Sequence, residues 1–84
     1  MREVLNELKN SPKVVGIKQL RKALERGTLL RVFLADNADP ALTEPIAALA
    51  EARGVPVERV STMKELGRAC SIAVGASAAG LLRP

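Results

Sequence analysis

From Leu29 to Ala35 the chain is apolar except for Arg31, and the centre of the run, Val32-Phe33, is β-branched and aromatic. A strand of that composition has no polar face to offer water, so it reads as a buried strand that needs cover on both sides. Segments with helical spacing flank it. Upstream, Ile17, Leu20, Ala23 and Leu24 recur at three- and four-residue intervals, which predicts a helix over Ile17 to Arg26. Gly27 follows where a left-handed C-terminal residue belongs. Downstream, Asp39 can cap a helix and Pro40 suits its first position. Leu42, Ile46, Leu49 and Ala50 make the apolar stripe of that helix, and Gly54 closes it.

The rest of the chain continues the alternation. Val4, Leu5 and Leu8 fall on one side of a short helix from about Arg2 to Lys9, ended by Asn10-Ser11-Pro12. Lys13-Val14-Val15 reads as a strand arriving at Gly16, and Val55 to Val60 as another strand. Thr62 and Glu65 match a capping box, opening a fourth helix with Met63, Leu66 and Cys70 turned inward. After a loop around Ser71 to Gly75, small residues from Ala76 lead into a last strand with Leu81 and Leu82. Four helices alternating with four strands predict a three-layer α/β/α sandwich, helices covering both faces of a four-stranded mixed sheet. No repeat or linker divides residues 1–84, so one domain is expected.

Several function classes are disfavoured at once. Phe33 is the sole aromatic residue, whereas readers of single-stranded RNA stack bases on aromatic side chains. With no histidine and one cysteine there is no ligand set for zinc or haem, and no cofactor is expected. The lone Cys70 cannot form an intramolecular disulfide, which suits a reducing cytosol. Apolar runs fall well short of the ~20 residues that span a bilayer, and the charged start Met1-Arg2-Glu3 is unlike a signal peptide. A cytoplasmic protein without a membrane partner is therefore expected. Catalysis has little to work with. There is no histidine base, the acids form no dyad, and Cys70 reads as a core residue. Gly16-Ile17-Lys18-Gln19 lacks the signatures of a phosphate-binding loop. The chain is not expected to be an enzyme.

The placement of charge says more than its formal total of +4. Between Lys13 and Arg31 six bases stand against Glu25 alone. Between Asp36 and Glu58 five acids stand against Arg53, and between Arg59 and Arg68 three bases stand against Glu65. A polarised surface of this kind favours a polyanion on one face. With Ile17, Leu20 and Leu24 turned to the core, Lys18, Arg21, Lys22 and Glu25 become outside neighbours, and Gln19 sits in the exposed first turn. The glycine before that turn lets an anion approach the free amides of the helix start. Lysine can donate to guanine O6 and N7, and glutamine can donate and accept together. Taken alone, the cluster more readily describes an ordinary solvated helix face than a binding site. The aliphatics Ile72 and Val74 could cover an unstacked base or simply lead into the last strand.

Gly16-Ile17-Lys18-Gln19-Leu20-Arg21-Lys22-Ala23-Leu24-Glu25-Arg26-Gly27 resembles the GxNExxKAxxRG signature of the kink-turn-binding ribosomal protein family, the superfamily of archaeal ribosomal protein L-seven-Ae and its thirty-e relatives. Ala35-Asp36-Asn37-Ala38-Asp39-Pro40 looks like its A-x-D-A-x-P loop, Val55-Pro56-Val57 like its VPY strand, and Leu66-Gly67-Arg68-Ala69-Cys70 like its LGxAxG helix. The matches run in order over nearly the whole chain, which is most similar to the short bacterial members. The resemblance implies the same sandwich, a monomer, and structured RNA as the ligand, in ribosomal RNA, a riboswitch or another non-coding RNA. In a kink-turn, tandem sheared G·A pairs flank a three-nucleotide bulge, and sheared pairing leaves guanine O6 and N7 unused. By resemblance the binding residues are Gly16, Ile17, Lys18, Gln19, Arg21 and Lys22 on the glycine-led helix, Ile72, Ala73, Val74 and Gly75 in a loop sheltering the extruded nucleotide, and Asp39 at the acidic loop position that can touch the same nucleotide besides capping its helix.

Three positions depart from the family pattern. Lys18-Gln19 stands where the family has Asn-Glu, which adds positive charge and changes the hydrogen-bond pattern. Ser71 replaces the glycine that ends the LGxAxG helix, so the loop exits differently if that position requires a positive φ. Met63 stands where the family has a base, with Lys64 next to it. The alternative to RNA binding is a protein-interaction module of the same fold working through the acidic middle, Asp36 to Glu58.

Overall fold

A computed structural model describes residues 8–84. The predicted start of the first helix lies outside the described residues; its end is helical at residues 8–10, here α1. The order then runs β1 (Lys13–Val15), α2 (Ile17–Arg26), β2 (Leu29–Ala35), α3 (Pro40–Ala52), β3 (Val57–Val60), α4 (Met63–Ala69) and β4 (Ala78–Leu82). The strands form one mixed sheet in the order β1-β4-β2-β3. β4 is antiparallel to both of its neighbours, and β2 is parallel to β3.

The expected two-sided cover of β2 is present, and it follows the period of two. Val32 and Leu34 belong to one core cluster, Phe33 and Ala35 to the other. Beneath Val32 and Leu34 pack Leu20, Ala23 and Leu24 of α2 and Ile46 and Ala50 of α3. Beneath Phe33 and Ala35 pack Leu8 of α1 and Leu66, Ala69 and Cys70 at α4. Leu20, Leu24, Phe33, Leu34, Ile46 and Leu66 are fully buried. At roughly 1.5–3 kcal/mol for each fully buried large side chain, these positions dominate the stabilisation of the layers.

Gly80 sets the height of α2 above the sheet. It lies on the same face of β4 as Ala78, and a Cβ there would overlap the side-chain methyls of Leu20 and Leu29. Its bare backbone is the seat into which Leu20 presses, and this docks the start of α2 against β4.

Details differ from the sequence expectations in three places. The pairing of β2 with β4 slips between Leu29 and Arg31, so Leu30 is an extra residue thrown outward and 44% exposed. The fully two-sided part of the strand is Val32–Ala35. In α3 the inward row is Thr43, Ile46 and Ala50, while Leu42 is 47% exposed. Thr43 is accepted inside because its hydroxyl sits near the Asp39 carbonyl, at 3.5 Å. β3 begins at Val57 because Val55 still belongs to the turn, its N–H returning to the Ala50 carbonyl, and the Pro56 carbonyl accepts the first ladder bond, from Val32 N–H.

Helices α2, α3 and α4 end in the same way. The N–H groups of Thr28, Val55 and Ile72 reach back to the carbonyls of Ala23, Ala50 and Gly67, and those of Gly27, Gly54 and Ser71 to Leu24, Glu51 and Arg68. That paired pattern needs a left-handed residue after each helix. Gly27 (φ 73) and Gly54 (φ 71) supply it without a Cβ penalty, and Ser71 (φ 63) supplies it with one.

Candidate nucleic-acid interface

One end of the sheet gathers the segments singled out in the sequence. β1 and β2 run toward that end and β4 starts from it, so the β1–α2 junction, the β2–α3 loop and the α4–β4 loop meet there. Hydrogen bonds hold the three together. Gly16 N–H donates to the Ala78 carbonyl at 2.9 Å, and Ala35 N–H donates to the neighbouring Ser77 carbonyl at 2.9 Å. Asn37 Oδ1 accepts from Met63 N–H at 2.8 Å, tying the β2–α3 loop to the start of α4.

At the β1–α2 junction Gly16 has φ 104 and ψ 152, a conformation essentially restricted to glycine. The chain turns there directly into α2, and the Gly16 carbonyl accepts the first intrahelical bond from Leu20 N–H at 3.0 Å. No side chain caps this helix, and its first turn carries no acid. The early amides therefore face outward with the positive end of the helix dipole. Lys18, Gln19, Arg21 and Lys22 are exposed, and among the described residues none of their side chains has an ion pair or hydrogen bond. Ile17 differs from its neighbours: it is half-buried against the cluster under α2 and anchors the turn.

The α4–β4 loop folds back along its own helix. Ile72 N–H bonds to the Gly67 carbonyl, and Ala76 N–H to the Met63 carbonyl, at 3.1 and 3.0 Å. Gly67 makes this possible. A Cβ at that position would collide with the Val74 carbonyl oxygen and crowd the Gly75 backbone. With its backbone so held, the loop presents Ile72 (37% exposed) and Val74 (70% exposed) outward, with Ala73 and Gly75 also exposed. Large aliphatics standing out from a backbone pinned at both ends suit contact with a flat apolar partner.

Asp39 lies at the same end, in the β2–α3 loop, and its Oδ1 accepts from Ala41 N–H at 3.0 Å. Its carboxylate caps α3, the role its position predicts. Met63, where the family pattern has a base, is turned inward: it packs against the cluster of Phe33 and Leu66, and its sulfur accepts from the Ser77 hydroxyl. Lys64, beside it, is exposed. Cys70 is buried, and burial pushes its thiol above the ordinary range although the charge of Lys13 pulls in the opposite direction. It stays protonated at neutral pH and unreactive as a nucleophile.

The sequence reading missed Gly67 and Gly80 as positioning residues. The signal for Gly67 lay in the LGxAxG match, but a helix-interior glycine reveals what it makes room for only when the opposing loop is visible. Gly80 had no local signal.

The ribosomal protein L7Ae/L30e/S12e/Gadd45 family matches residues 1–84. An RNA-binding protein of Geobacillus sp. (strain WCH70) is 44% identical over 70 residues, covering 83% of this chain and 85% of that protein. The RNA-binding protein YbxF of Geobacillus stearothermophilus matches with the same identity and coverage. Among solved structures, the Giardia lamblia 15.5kD RNA binding protein superposes with a TM-score of 0.92 at 27% identity, over 99% of this chain and 73% of that one. With the fold, the order of its motifs and these relatives in agreement, the chain belongs to the ribosomal protein L7Ae/L30e/S12e/Gadd45 family.

Proposed function

We propose that the chain binds structured RNA in its kink-turn form and stabilises that form, as a ribosomal or ribosome-associated protein of the cytoplasm. The observation that carries this reading is the coincidence, at one end of the sheet, of unpaired polar and cationic side chains with outward aliphatics. Lys18, Gln19, Arg21 and Lys22 stand on one side, and Ile72 and Val74 on the loop beside them. The naming of relatives as RNA-binding proteins supports the ligand class.

In this reading Lys18 and Gln19 contact the free guanine edges of the sheared pairs, and Arg21 and Lys22 neutralise phosphates crowded by the bend. Ile72, Ala73, Val74 and Gly75 shelter the extruded nucleotide. Gly16 and Ile17 set the turn, and Asp39, which caps α3, stands at the loop position that can touch the same nucleotide. The protein shifts the population of a flexible RNA toward the conformer it fits, with no chemical step of its own.

The test is titration of a kink-turn RNA and of a straight duplex of equal length. Wild-type protein prefers the kinked RNA. Lys18→Ala with Gln19→Ala keeps the fold and loses affinity on the order of 10- to 100-fold, since a well-made base contact discriminates by roughly 1–3 kcal/mol. Equal affinity of the wild type for both RNAs sinks the kink-turn reading. Crosslinking in cells and sequencing of the bound fragments identifies the RNA.

A further inference from the structure

The α4–β4 loop has a second side. Away from α2, it walls an open depression of about 340 Å³ completed by Lys9 at the end of α1 and by Lys64 and Arg68 on α4. We propose that this depression seats phosphate groups of the same RNA, so that the ligand is gripped on both sides of the loop and not from α2 alone. The inference rests on the RNA-binding reading above and extends it to residues on the opposite face of the sheet.

Three observations support it. First, cations from two separate elements converge on one concavity, and no acid is among its described lining residues. Among the described residues Lys9, Lys64 and Arg68 have no ion-pair partner. Glu65 lies next to Lys64 on α4 but does not line the depression, so three cations outnumber one acid around it, and a polyanion relieves their mutual repulsion while releasing its own counterions. Secondly, the segment 71–75 walls the depression, and the exposed Ile72 and Val74 are among its lining residues. Thirdly, α2 packs on one face of the sheet and α1 and α4 on the other, with this loop at the sheet's end. A nucleotide sheltered on the loop has a phosphate on each side of it. One side leads toward Lys18 and Lys22, the other into the depression.

The experiment measures the salt dependence of binding to the same kink-turn RNA for the wild type and for Lys9→Gln/Lys64→Gln/Arg68→Gln. All three side chains are exposed, and circular dichroism checks that the fold is kept. Between about 50 and 400 mM salt, the slope of log K against log salt shrinks in magnitude by about 2 to 3, at roughly 0.7–0.9 for each phosphate no longer neutralised. Preference for kinked over straight RNA survives, because the base-edge contacts are untouched. Lys64→Arg with Arg68→Lys keeps the wild-type slope, which separates a charge effect from a structural one. An unchanged slope in the triple variant overturns the proposal. If the wild type binds kinked and straight RNA alike, the kink-turn reading fails while the slope still decides the depression. A wild type that binds neither overturns both.

Discussion

Arg59 and Arg68 belong to the same β3–α4 unit and meet opposite surroundings. Arg59 reaches two carboxylates, Asp36 and Glu44, each at 4.0 Å. Arg68 faces a depression shared with Lys9 and Lys64 and makes no ion pair among the described residues. In the sequence the two arginines count alike, as members of one basic segment. In space, the first is absorbed by the acidic middle of the chain and the second is left to act on whatever enters the depression. The same contrast weighs against the protein-interaction reading, because two of the acids it would use are already engaged with Arg59. A positive patch is therefore defined by the cations that remain unpaired after folding. By that measure the positive surface lies on α2 and around the α4–β4 loop, and at the β3 edge the acids Asp36, Glu44 and Glu58 outnumber Arg59.

A charge reversal tests this contrast most severely. Arg21→Glu with Lys22→Glu weakens RNA binding by roughly 100-fold near 0.1 M salt, since two neutralising charges become repulsive ones. Arg59→Ala changes the same affinity less than about threefold and stability by under about 1 kcal/mol, as exposed pairs usually do. Side-by-side anisotropy titrations check both. If Arg59→Ala weakens binding as much as the double reversal, pairing does not mark the boundary of the ligand surface.

The next effect bears on the loop that separates α2 from the depression. Gly67→Ala forces the Val74 and Gly75 backbone off α4 and destabilises the protein by about 2 kcal/mol, the usual scale of an overpacked site. For a chain of this size that lowers Tm by roughly 8–16 °C in a thermal melt. An unaltered Tm would mean that the loop is not seated on Gly67.

The smallest effect compares the three helix ends. Ser71→Gly relieves a left-handed cost of about 1–2 kcal/mol, part of which is offset by the greater freedom of glycine in the unfolded chain. The net gain is about 0.5–1 kcal/mol, read as a rise in Tm. Gly27→Ala goes the other way, because it brings the same cost to a position that is now free of it. A destabilised Ser71→Gly protein would show that the serine side chain contributes more than its conformation costs.

Much of this protein is written locally. The two-period of Val32 to Ala35 placed helices on both faces of the sheet. The spacing of Ile17, Leu20 and Leu24 decided which side of α2 meets the core, and hence that Lys18, Gln19, Arg21 and Lys22 are exposed. Caps and stops at Asp39, Thr62 and Gly27 were legible because they depend on residues at most a few positions away. Misread positions had tertiary causes. Leu30 was expected inside and is expelled by a slip in pairing with β4, and Leu42 yields its inward place to Thr43.

What the sequence by itself determined is the set of elements, their buried faces and the α2 cluster, because burial and capping act over one or two turns or a few strand residues. Only the tertiary structure decided which charges cancel, which glycine backbones serve as seats, and that Lys9, Lys64 and Arg68 share one depression. Those outcomes depend on approaches between segments distant in the chain. The acids that reach Arg59, the loop that lies on Gly67 and the leucine that presses on Gly80 are brought there by packing, which no local pattern encodes.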